Sequence, residues 1–427
     1  MTAEIAIMSR TAVVLAADSA TTVTSWKDGV QERRYFKGAN KLFELSRSAP
    51  VGLMIYGSAA LQGVPWELAI KSFREDLGNE QHDRLEAYPS RFFDFIEHHD
   101  KLFSDQAKSQ SLFNLIGSAA YRMQRSMAQI QGFDNVEDLA KLSVEELDEN
   151  LTTIEKIVED TELHDLLTEV DIANAIAKTS ASFIEIVPDS LVTFKGIPER
   201  QPLVGKFVNT LIKYAIKDFI NFADLTGVVI AGYGKDDYYP TLEVFECYGF
   251  LGDRLIYSRQ PPREMDAESP AIIQPFATTS MIDTFRMGVA PDVFGAVSDS
   301  TGLALADFGR KVMEECGVEE VLSDERLAAL VADARDGHTD KWFHKIRSQH
   351  FFPLSNIIHS LPLPDMAGLA KSLIELESLK ERVTKPSESV SGPIDVAIIS
   401  KHDGFVWIDR KHYFKAELNP RFFRRAE

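Results

Sequence analysis

Thr2-Ala-Glu-Ile-Ala-Ile-Met-Ser-Arg-Thr-Ala-Val-Val-Leu-Ala-Ala-Asp18-Ser19 opens the chain as two apolar runs on either side of a polar break. Ile5 to Ile7 and Val13 to Ala17 have the length of strands, and Ser9 to Thr11 supplies the turn between them. In the second run apolar residues follow one another without alternating with polar ones. That pattern predicts a strand covered on both faces, deep in a layered molecule.

Working outward, Asn40 to Ser46 and Val51 to Tyr56 read as two more strands, the second closed by Gly57 and Ser58. From Ala59 the spacing of Leu61, Trp66, Leu68, Ala69 and Phe73 predicts a helix with one buried stripe. Residues 79–202 read as mainly helical, and Ser143 with Glu146 fits a capping box opening a helix that carries Leu147, Leu151 and Ile154. An amphipathic helix is expected over 204–222, then strands at 227–231 and through Leu242, Val244 and Phe245. Residues 301–361 are again helical in pattern, a well-patterned helix covers 365–383, and 395–400 with 404–408 predicts a closing hairpin. Strands, helices, strands, helices and strands in that order predict antiparallel sheets layered with helices, not a repeating βαβ unit.

Composition narrows the function classes. The 427 residues give ample material for a large core. A formal charge of −19 opposes nucleic-acid binding and anionic-membrane binding, since phosphate contacts require a cationic surface. Fourteen acidic residues lie between Asp134 and Asp171 against only Lys141 and Lys156, which fits a solvated helical face or a docking surface for a basic partner. Cys247 and Cys316 are too few for a disulfide framework, and no apolar run approaches membrane-spanning length, so a cytoplasmic protein is expected. His338, His344, His350 and His359 are spaced by six and nine residues, which does not align ligands on one helical face, and no metal site is expected from them.

Position 2 is the first place to look for chemistry. A threonine hydroxyl is a weak nucleophile unless a base adjoins it, and an N-terminal threonine carries an amine on its own α-carbon. That amine titrates near about 7.7 to 8.0, so it can take the hydroxyl proton directly or through water. Removal of Met1 would therefore put nucleophile and base in one residue.

The residues around Thr2 strengthen that reading. The run from Thr2 to Asp18 resembles the opening of proteasome β-subunits, with the threonine-to-aspartate spacing kept without a gap. Asn40-Lys41-Leu42-Phe43 is similar to that family's lysine-bearing strand, although it is reached through a longer connection around Trp26 to Tyr35. Gly52-Leu-Met-Ile-Tyr-Gly57-Ser58-Ala59-Ala60 resembles its Gly-Ser-Ala-Ala element, and Val228 to Tyr233 its Val-Ala-Gly-Tyr strand end. Residues 366–383 look like its penultimate helix, and Ser389-Val-Ser391-Gly-Pro-Ile-Asp395-Val like its Ser-x-Ser-Gly-Gly-x-x-Asp-Val loop and strand. Three features depart from the pattern. Ala20 stands where an arginine is common, Glu388 where the acid before the loop is usually shorter, and the Gly-Ser-Gly loop is not recognisable, with Thr278, Thr279 and Ser280 in roughly its region.

The resemblance implies an N-terminal nucleophile hydrolase with an α+β fold, a four-layer αββα sandwich of two antiparallel sheets elaborated by helical insertions. It implies core segments at 1–78, 201–300 and 363–427, an acidic helical insertion at 79–200 and a second insertion at 301–362. Thr2 would attack a peptide or protein amide carbonyl, Lys41 would activate it, Asp18 would hold Lys41, and the backbone N–H of Gly57 would stabilise the oxyanion. Glu388 would orient the amine, and Ser391 belongs to the loop beside it. No metal or organic cofactor is required. Assembly into a ring-like homo-oligomer is implied as well. A catalytically silent scaffold of the same fold and an amidohydrolase acting on a small molecule are the competing expectations.

Overall fold

A computed structural model describes residues 2–27, 30–269, 271–317, 323–384 and 390–421, with 23–27, 30–33 and 416 as backbone alone. The opening hairpin forms as the apolar runs predict, from β1 (Ala3–Met8) and β2 (Ala12–Ala17), every residue of both strands being buried. A second hairpin, β3 (Thr21–Lys27) and β4 (Val30–Phe36), fills the long connection before β5 (Leu42–Glu44) and β6 (Val51–Gly57). The helix expected from Ala59 begins later. Gln62 and Gly63 both take positive φ, 47° and 86°, and turn the chain between β7 (Ala60–Leu61) and β8 (Val64–Pro65). Two left-handed central residues are what a tight two-residue hairpin turn requires, so α1 (Trp66–Leu77) starts only after it.

The first helical segment continues with α2 (Ala87–His98), α3 (Asp105–Ile130), α4 (Val144–Asp160), α5 (Glu169–Ser190), α6 (Val204–Lys217) and the single turn α7 (Phe219–Phe222). Both halves of the Ser143–Glu146 capping box are present at the start of α4, at 3.1 and 2.7 Å. The amphipathic run over 204–222 is not one helix, because Asp218 leaves helical geometry between α6 and α7. Then come β9 (Thr226–Gly232), β10 (Thr241–Leu251), β11 (Arg254–Arg259), β12 (Arg263–Glu264) and β13 (Ile272–Ala277). Helices α8 (Ser280–Met287), α9 (Pro291–Cys316), α10 (Asp324–Ile346), α11 (Phe352–Ile358) and α12 (Leu363–Thr384) precede the closing hairpin of β14 (Asp395–Ser400) and β15 (Gly404–Asp409).

The fold is α+β with antiparallel sheets. One sheet runs β13-β1-β2-β14-β15 and the other β11-β10-β9-β6-β5, with β12 paired to β10. Strand alternation explains their packing, since successive side chains leave a strand on opposite faces. Ala6 and Met8 of β1, Val13 and Leu15 of β2 and Ile399 of β14 meet Met54, Val229 and Val244 of the second sheet in one apolar cluster. The opposite face of the first sheet, with Ile5, Ile7, Val14 and Ile398, packs on Ala370, Leu373 and Ile374 of α12. The outer face of the second sheet, with Leu53, Val228 and Phe245, packs on α1 and α2 through Trp66, Phe73, Phe92 and Phe93.

A separate cluster belongs to the helices. Leu112 and Ile116 of α3, Leu147 and Leu151 of α4, Phe183 of α5 and Phe207 and Leu211 of α6 bury one another, joined by Leu251 and Ile256 from β10 and β11. By contrast, α9 has no buried residue over its 26 positions. Among the described residues no helix is long and apolar enough to cross a membrane.

Candidate functional site

Hairpin register brings the first two candidates together. Glu4 pairs with Ala17 and Ile5 with Ala16, so the ladder continued one step sets Ala3 opposite Asp18, and the amide of Asp18 donates to the carbonyl of Ala3 at 3.2 Å. The separation of Ala3 and Asp18 along the chain is therefore the one that the hairpin closes, and Thr2 adjoins Ala3. On the other side β13 pairs with β1, Ala277 opposite Ala3, and the amide of Thr278 donates to the carbonyl of Thr2 at 2.9 Å. Thr2 is 6% exposed.

Lys41 arrives from the other sheet. Its carbonyl accepts from the amide of Ile55 at 2.9 Å, extending the β5–β6 ladder, and its side chain crosses to the first sheet. There the ammonium donates to Asp18 Oδ1 and lies 3.1 Å from Glu4 Oε1. Asp18 also accepts three backbone amides, from Ala3 at 3.3 Å, Ala20 at 3.3 Å and Ser391 at 2.9 Å. The Ser391 loop is further tied down by the Ser19 hydroxyl, which donates to the carbonyl of Pro393. Asp18, Lys41 and Ser391, from three distant points in the sequence, thus share one bonded cluster, and Thr2 adjoins it through Glu4.

Gly57 ends β6, two residues after the one that donates to Lys41. Its φ of 81° belongs to glycine, and a Cβ there would lie 2.5 Å from the carbonyl oxygen of Leu225. Glu388 lies outside the described residues.

Glu4 completes the cluster, and the sequence reading passed over it. Glu4, Ala6 and Met8 share one face of β1 by the two-residue period of a strand, and Thr2 stands one period before Glu4, just ahead of the strand. The Thr2 hydroxyl donates to Glu4 Oε2 at 3.1 Å, while Glu4 Oε1 meets Lys41 as an ion pair outside hydrogen-bond geometry and has no hydrogen-bond donor among the described residues. Glu4 is wholly buried, and desolvation pushes its carboxyl up to about 7; Asp18 adds to the rise and Lys41 opposes it. The signal was available: a single charge inside an apolar strand, on the same face as Thr2. Nearby Tyr56, stacked on Phe276 with ring centroids 5.2 Å apart, is pushed up to about 12, chiefly by burial and then by the charges of Glu246 and Glu4.

Chemically the cluster offers a hydroxyl on a strand end, a carboxylate bonded to it, and an ammonium balanced by two carboxylates in a place from which bulk water is excluded. The chain matches no protein-family model and no curated protein.

Proposed function

We propose that the chain is a proteasome β-type N-terminal nucleophile hydrolase, and that its paired sheets with helices outside are the four-layer αββα sandwich of that class. Thr2, freed by removal of Met1, attacks a peptide or amide carbonyl, and the amine or a neighbouring base takes the hydroxyl proton. Lys41 and Asp18 set the electrostatics at Thr2, Gly57 donates to the oxyanion, and water releases the acyl-enzyme. The resemblance implies that Glu388 orients the amine and that Ser391 belongs to the loop beside it. The reaction needs no metal or organic cofactor, and the protein acts in the cytoplasm.

The observation that supports this reading is the convergence of Lys41 on Asp18 from a different sheet, with Thr2 joined to the same cluster through Glu4. Intact mass of the purified chain, followed by hydrolysis of fluorogenic peptide amides by wild type and Thr2→Ala, tests it. Loss of Met1 and a fall of at least about a hundredfold in Thr2→Ala are expected. Unchanged turnover in Thr2→Ala would exclude Thr2 as the nucleophile.

A silent scaffold is the second reading, favoured by the near-complete burial of Thr2. Its signature is Met1 retained together with no Thr2-dependent turnover of any peptide or small amide.

A further inference from the structure

We propose that Glu4 is the group that accepts the proton of the Thr2 hydroxyl, a base on the same strand face, two residues along, held in place by Lys41. This rests on Thr2 being the nucleophile and moves the base from the α-amine to a side chain. The hydroxyl already points at Glu4 Oε2, 3.1 Å away, so no rearrangement is needed before proton transfer. Lys41, against Glu4 Oε1, keeps a positive charge next to the ionised form.

Burial is the second argument. A carboxyl at the interface of two sheets, fully enclosed on the Ala6 and Met8 face, opposes folding when ionised and would be replaced by an apolar side chain if packing were its only role. Among the described residues the charged and titratable groups around it are few. They are Lys41 from the segment before β5, Asp18 from the end of β2 and Tyr56 from β6, with Thr2 beside it on its own strand. Across the ladder Glu4 faces Ala17 of β2 and Phe276 of β13, neither of which titrates. The combined effect raises the carboxyl to about 7, which makes it a stronger base than an exposed glutamate while leaving much of it ionised at neutral pH.

The step balances without further reactants. Thr2 Oγ1 bonds to the carbonyl carbon while its proton passes to Glu4 Oε2 and the carbonyl π pair moves to oxygen. Collapse restores the carbonyl, breaks the C–N bond and sends the Glu4 proton out on the amine. Water then adds to the acyl carbon with its proton on Glu4, the ester bond to Oγ1 breaks, and the proton returns to Oγ1. The products are an acid and an amine.

Wild type, Thr2→Ala, Glu4→Gln and Glu4→Asp, as full-length chains, are compared on a panel of fluorogenic peptide amides from pH 5 to 9, with folding checked by circular dichroism. Wild-type kcat/KM is expected to rise with pH through about 7. Glu4→Gln, which keeps the size but cannot take a proton, is expected to lower kcat by about 10²- to 10⁴-fold and to abolish that limb. Glu4→Asp is expected to keep a limb at reduced rate, and it decides the matter if Glu4→Gln does not fold. A Glu4→Gln enzyme within a few-fold of wild type, or a limb indifferent to both variants, overturns the role of Glu4 and leaves Thr2 standing. Turnover indifferent to Thr2→Ala, or no Thr2-dependent turnover, overturns the reading on which it rests.

Discussion

Asp18 accepts three backbone amides and an ammonium, and through them it joins the end of β1, the end of β2, the segment before β5 and the 391 loop. Replacing it by Asn removes one of the two negative charges facing buried Lys41 and sets an amide N–H₂ against N–H donors. A loss of about 3 kcal/mol is expected, read as a lower denaturant midpoint, together with loss of Thr2-dependent turnover. Gly57→Ala introduces a Cβ 2.5 Å from the Leu225 carbonyl at a φ of 81°, and should lower stability by about 1 to 3 kcal/mol through that strain. Lys41→Ala leaves Asp18 and Glu4 facing each other without their shared cation, which is expected to favour protonated Glu4 and to shift any Glu4-dependent limb to higher pH.

At the scale of elements, β1 carries the site because its two faces do different things. Ile5 and Ile7 anchor it on α12, while Glu4, Ala6 and Met8 face the second sheet. The helices α3 to α6 stand apart from this, with their own apolar cluster. Ser143→Ala breaks the capping box of α4 and should weaken that helix end by about 1 kcal/mol, seen as faster amide exchange in its first turn. Catalysis should be unaffected, because among the described residues the bonds of the Thr2 cluster do not run through α4. A large loss of activity in that variant would show that the helical segment and the site are energetically joined.

For the whole molecule, the burial of Glu4 has a sign that thermodynamics fixes. Its folded carboxyl titrates near 7 against 4.5 when unconstrained, so between those values the native chain holds a proton that the unfolded chain has lost. Its contribution to stability is then greatest below pH 4.5 and falls as pH rises toward 7. Glu4→Gln should accordingly melt at a higher temperature than wild type above pH 7 and show a flatter dependence on pH. The hairpin of α9 and α10 raises a question of assembly, since Leu303 is 74% exposed and Phe308 66% on a helix with nothing buried. If copies of the chain associate through it, sedimentation should show an oligomer that Leu303→Ser with Phe308→Ser dissociates; a wild-type monomer at all concentrations would rule that out.

Local order was legible from the residues alone: the opening hairpin, the capping box at Ser143, the strands at 51–56 and 227–231, and the closing hairpin all follow from short-range periodicity and turn chemistry. Hairpin register even brings Asp18 opposite Ala3, next to Thr2, because an antiparallel turn pairs positions by a constant sum. The β3–β4 hairpin, the β11 and β13 strands and the late start of α1 were missed, since weak or polar strands acquire their identity from the neighbours they pair with. Only the tertiary structure brings Lys41 and Ser391 to Asp18, sets Thr278 against Thr2, and makes Glu4 a buried acid with a raised pKa. Contacts between distant segments and the loss of solvent around a charge are properties of packing, and no single stretch of the chain encodes them.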